Sequence, residues 1–193
     1  MIKSMAMLLF SATPFIYAPP VYAEPDIACQ YGTPDAWDQI SPMYVGSWNI
    51  AHHSGFVVAG TMTMPFPASG GVEAMGIEML PSGQLVGTHP EAQAPIPFIW
   101  ADEPPWRFEA DAAKDGAPAP LLSSSEVENR MECGVENLAR LIGHTQATVD
   151  GIVMDMTLRL MVVGRHQMYG IFHTSAMSGG MPVKSWRAVM LTR

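Results

Sequence analysis

The sequence predicts a mainly β domain: an antiparallel up-and-down barrel or a two-sheet sandwich, with one helix at about residues 126–142. Three observations carry this. The last fifty residues hold four apolar-alternating runs separated by short Gly-containing breaks. The residues from 43 to 88 hold four or five more such runs, with turn signals between them. A chain of 193 residues with 48% apolar and 15% charged residues has enough apolar material for one packed core, and too little charge for a disordered chain.

Residues 1–23 carry a single charge, Lys3, ahead of the apolar run Met5–Phe10, and close on Val21-Tyr22-Ala23. A basic start, a short apolar middle and small residues at the end make a secretory signal peptide. Spanning a bilayer needs about 20 apolar residues, and Pro14, Pro19 and Pro20 interrupt this run. The expected mature chain is residues 24–193, periplasmic or secreted, with no transmembrane segment after cleavage. Two cysteines, Cys29 and Cys133, remain in it. An even count in an oxidising compartment reads as a disulfide.

Residues 24–42 are rich in Pro, Asp and Gly and are expected to be irregular; one β-rich domain is expected over 43–193. The first strand is placed at Met43–Ile50 and the second at Phe56–Met64, with His53-Ser54-Gly55 as the turn. Strands at 72–79 and 84–88 flank Pro81-Ser82-Gly83. A Pro-rich loop follows at 89–105, expected to be an edge or a loop because proline cannot donate to a strand ladder. A flexible connection spans 111–124. Ser125 with Glu128 forms a capping box, and Val135, Leu138 and Ile142 recur at helical spacing before Gly143. The four closing strands are His144–Val149, Ile152–Val162, Gln167–Met177 and Val183–Leu191, the first pair joined across Asp150-Gly151.

Gly46-Ser47-Trp48 in the first strand and Ser185-Trp186-Arg187 in the last resemble the lipocalin-like (calycin) pattern. That resemblance implies a barrel closed by pairing of the first and last strands. It also implies that Arg187 packs over the Trp48 ring at the closed end, a contact contributing about 0.5–2 kcal/mol.

The net charge of -8 argues against nucleic acid as a partner, which would call for a basic stripe. The leading functional reading is non-catalytic binding of a small apolar ligand or of an envelope partner. The chain holds 16 methionines, and a deformable thioether suits a pocket for such a ligand. Met62, Met64, Met75, Met154, Met156 and Phe172 are the candidate lining, with Trp100 and Trp106 over the mouth. A second reading is a periplasmic copper protein with His52, His53, Met62 and Met64 as ligands, since thioether and imidazole suit Cu(I). A third is an enzyme of unknown class; no Gly-x-Ser-x-Gly, His-Glu-x-x-His or phosphate-loop motif marks a catalytic residue.

Overall fold

The computed structural model describes residues 33–90, 92, 94–101, 117, 118, 121 and 137–193. The expected signal peptide, Cys29, Cys133, Trp106 and most of the expected helix therefore lie outside the described residues. So do residues 111–116 of the expected connection.

The described part opens with a helix that the sequence reading assigned to irregular chain. Helix α1 (Pro34–Ile40) begins at Thr33, whose hydroxyl accepts from the Ala36 N–H at 3.4 Å, with Pro34 at the first helical position and Asp35 in the first turn. Each of these residues suits a helix start: the cap satisfies an orphan donor, proline pre-sets φ, and the carboxylate meets the positive end of the helix dipole. A 3₁₀ turn, Ser41–Tyr44, then hands the chain to the sheet.

Nine strands follow: β1 (Gly46–Ala59), β2 (Met62–Phe66), β3 (Val72–Met79), β4 (Leu85–Thr88), β5 (Ile96–Trp100), β6 (Ala139–Val149), β7 (Ile152–Gly164), β8 (Gln167–Ser178) and β9 (Met181–Thr192). They form one antiparallel sheet in the order β2-β1-β3-β4-β5-β6-β7-β8-β9, and β1 also pairs with β9. The sheet therefore closes into a ring. β2 and β3 divide one edge of β1 between them: β3 pairs with Gly46–Ala51 and β2 with Gly55–Ala59.

Three local expectations are corrected. First, His53-Ser54-Gly55 is not a hairpin turn; β1 runs through it, with a bulge between His52 and Gly55 in the pairing with β9. The hairpin falls instead at Gly60-Thr61. Second, residues 139–142 of the expected helix are strand, at the start of β6. Ala139 and Leu141 point into the core and Ile142 points out, so a period of two governs these positions. Third, Ile96–Trp100 is an interior strand despite Pro97. Pro97 pairs only with Val86 of β4, and the ladder to β6 starts one residue later at Phe98, so its missing N–H interrupts neither ladder.

The last three strands follow the expected boundaries closely, and β6 ends at the expected Val149 but begins five residues earlier, at Ala139. Asp150 (φ 52°) and Gly151 (φ 78°) both adopt positive φ. This is the turn whose twist matches a two-residue hairpin. Inside the ring lies the main core, built from Trp48, Ile77, Leu141, Leu160, Met168 and Leu191 among others. A second cluster lies on the outer wall, where Met161, Ile171 and Trp186 pack with Ala101 and Leu138.

One end of the ring is plugged by the segment before β1. Trp37 lies 5.2 Å from Tyr44 between ring centroids, and Tyr44 stacks on Trp48 at 6.1 Å. The Trp48 Nε1–H donates to the Tyr44 carbonyl at 2.8 Å. The cation over the Trp48 ring is Arg193, 4.9 Å from its centroid, and not Arg187. The register explains this: Asn49 pairs with Thr192, whereas Arg187 pairs with Gly55, far along β1. Arg193 is fixed further by donating to the Met43 and Val45 carbonyls at 2.6 and 3.3 Å.

Candidate functional site

The core leaves the ring unfilled beyond the plug. A cavity of about 590 Å³ remains inside, within the range of small-molecule sites. Its apolar floor comes from Ile50 of β1, Met75 of β3, Ile96 of β5, Leu158 of β7 and Phe172 of β8. All five face inward because alternate residues of a strand share one side. Met156, two residues before Leu158, extends the same wall.

One wall is polar, and the β1 bulge positions it. Above the bulge, residues 67–69 leave β2 and cross to β3, held where the Ser69 N–H donates to the His52 carbonyl at 2.9 Å. Beside this crossing, His52, Glu73, His89 and Arg187 border the cavity. Glu73 Oε2 lies 2.9 Å from His89 Nε2 and 3.4 Å from His52 Nε2. The Arg187 guanidinium lies 4.5 Å from the centroid of the Phe66 ring. Gly55 makes this stack possible. A Cβ there would stand 2.5 Å from Phe66 Cζ and 2.0 Å from the Trp186 carbonyl oxygen. A glycine inside a strand marks such close approaches and bulges.

Burial holds His52 below its ordinary value of 6.5. The Glu73 carboxylate pulls the other way, while Arg187 and His89 add to the depression. Burial likewise lowers Arg187, again opposed by Glu73. Burial therefore favours the neutral ring of His52, and a carboxylate (Glu73) and a guanidinium (Arg187) stand on the same wall.

Of the residues the sequence singled out as lining, Met75, Met156 and Phe172 border the cavity. Met62 and Met64 do not: they lie on β2 and are 57% and 49% exposed. Met154 is half-buried nearer the hairpin tip and is not part of the lining. Trp100 does not cover a mouth; it packs against the main core, 6.5 Å from Trp37 between centroids.

The four residues read as copper ligands are not brought together. His52 and His53 are consecutive on β1, and His53 is exposed while His52 is buried. Met64 pairs with Val57, five residues beyond His52, a separation of roughly 15 Å at strand rise. Among the described residues, no group of three or more His, Cys, Asp or Glu side chains is placed to hold a metal ion.

Glu73 and His89 are site residues that the sequence reading passed over. Alternation alone points to Glu73, because it lies two residues before Met75 on the same face of β3. His89 carries no comparable local signal; the β3–β4 register brings it beside Glu73. No protein-family model matches this chain, and no curated protein sequence matches it.

Proposed function

We propose that this is an exported, non-catalytic binding protein that holds a small, largely apolar molecule inside a lipocalin-like β-barrel. The observation that carries this reading is the cavity of about 590 Å³, floored by Ile50, Met75, Ile96, Leu158 and Phe172 within a closed ring of strands. A ring of about eight strand positions has an interior suited to one small ligand. The lipocalin-like part is supported by Gly46-Ser47-Trp48 at the start of β1, by the β1–β9 closure, and by a guanidinium (that of Arg193) over the Trp48 ring. Export rests on the composition of residues 1–23 and brings with it the Cys29–Cys133 disulfide. No helix among the described residues is long and apolar enough to cross a membrane.

The reading is tested by titrating the protein with N-phenyl-1-naphthylamine, a neutral apolar fluorophore that brightens on leaving water. Saturable, one-to-one enhancement is expected. Met156→Trp, which adds volume at a half-buried cavity position, is expected to weaken it by about tenfold, equivalent to 1.4 kcal/mol. Enhancement that never saturates, or that is unchanged in Met156→Trp while the variant keeps its melting temperature, contradicts the proposal.

A further inference from the structure

The polar wall makes the cavity amphipathic, and its charges are unequally satisfied. Glu73 is engaged by two imidazoles on one oxygen. Arg187 is not: among the described residues no carboxylate lies within 4.0 Å of its guanidinium, whose contact is the face of Phe66. Arg187 is half-buried and borders the cavity. A partly desolvated cation without an ion pair carries a cost that an incoming anion relieves. The apolar floor lies across the same cavity.

We propose that the ligand is an amphipathic acid, with its anionic head on Arg187 and its apolar body along Met75, Leu158 and Phe172. This rests on the cavity reading and goes beyond it by fixing the head-group chemistry. Glu73 narrows the choice further. Its carboxylate borders the same cavity and acts electrostatically on Arg187, so a second negative charge on the head group meets repulsion. The site therefore takes a monoanionic carboxylate in preference to a phosphate monoester, whose charge is about -1.5 to -2 at pH 7.

The test is competition of three twelve-carbon probes against N-phenyl-1-naphthylamine on the full-length protein at pH 7.5: dodecanoate, dodecanol and dodecyl phosphate. Dodecanoate is expected to bind about tenfold tighter than dodecanol, the value of one charge-assisted contact, and tighter than dodecyl phosphate. Arg187→Gln is expected to bring the dodecanoate-to-dodecanol ratio to about one, and Arg187→Lys to keep it above one, because the charge is retained. Glu73→Gln is expected to narrow the gap between carboxylate and phosphate. Equal affinities for dodecanoate and dodecanol, a ratio that survives Arg187→Gln, or tighter binding of the phosphate overturns the head-group proposal while leaving the apolar cavity standing. If the fluorophore itself binds without saturation, the cavity reading fails, and this inference fails with it.

Discussion

The Trp186 carbonyl and the side chains of Phe66 and Arg187 meet at Gly55, and small changes there are expected to travel. Gly55→Ala sets a methyl against the Trp186 carbonyl oxygen and the Phe66 ring. The expected result is a loss of about 1–3 kcal/mol in urea denaturation, the usual cost of overpacking, with Phe66 displaced from beneath Arg187. His52 makes a prediction about pH. Folding depresses its pKa below 6.5, so under acid the unfolded chain takes up protons before the folded one does. Its contribution is therefore whole above pH 6.5 and declines as pH falls below that value. Glu73, His89 and Arg187 face the same ring, so the decline is read as a difference: denaturation midpoints of His52→Gln should fall less steeply below pH 6.5 than those of the parent. An equal slope contradicts a depressed His52. At this scale the sequence is partly legible. Met75, Met156 and Phe172 follow from alternation, because one face of a strand is a local property. The Arg187 partner does not, because it depends on which residue of β1 lies opposite it, and the bulge after His52 shifts that count.

Among the elements, the four C-terminal strands are the most readable, and the reason is chemical. β6 and β7 meet at Asp150-Gly151, and β8 and β9 at Gly179 and Gly180, both with positive φ. Such turns are written in the sequence by residues that tolerate that conformation. Gly151→Val is accordingly expected to cost about 1–2 kcal/mol, the penalty of a left-handed backbone for a residue with Cβ; the thermal denaturation midpoint measures it. Leu160, fully buried in β7, is expected to cost about 2–5 kcal/mol on truncation to Ala. Met64→Ala on exposed β2 should stay within about 0.5 kcal/mol. The first strand is harder to read, because His53-Ser54-Gly55 offers turn-forming residues to a segment that tertiary pairing keeps extended. β5 is hard for the opposite reason. Pro97 argues against an interior strand, yet the pairings on its two sides are offset so that no ladder needs its N–H. Helix α1 announces itself through Thr33-Pro34-Asp35, a start signal hidden within a Pro- and Asp-rich lead-in.

At the level of the whole molecule, the account depends on closure. β1 pairs with β9 from Asn49 to Ala59, interrupted only at the bulge, and this long-range pairing turns a meander into a container. The plug at one end, where Trp37 packs on Tyr44, Tyr44 stacks on Trp48 and Arg193 lies over the Trp48 ring, leaves the unfilled volume nearer the other end. Arg193→Ala is expected to lower stability by about 0.5–2 kcal/mol without altering probe affinity, because the plug and the cavity are separate parts of the interior. The most direct test of the central claim is a titration of protein labelled with ¹³C at the methionine methyls, followed by NMR as dodecanoate is added. Met75 and Met156 line the cavity, whereas Met62 and Met64 stand exposed on β2. The expected result is saturable shifts at Met75 and Met156 with Met62 and Met64 unmoved. Shifts confined to Met62 and Met64, or no saturable shift at any methionine, would contradict it.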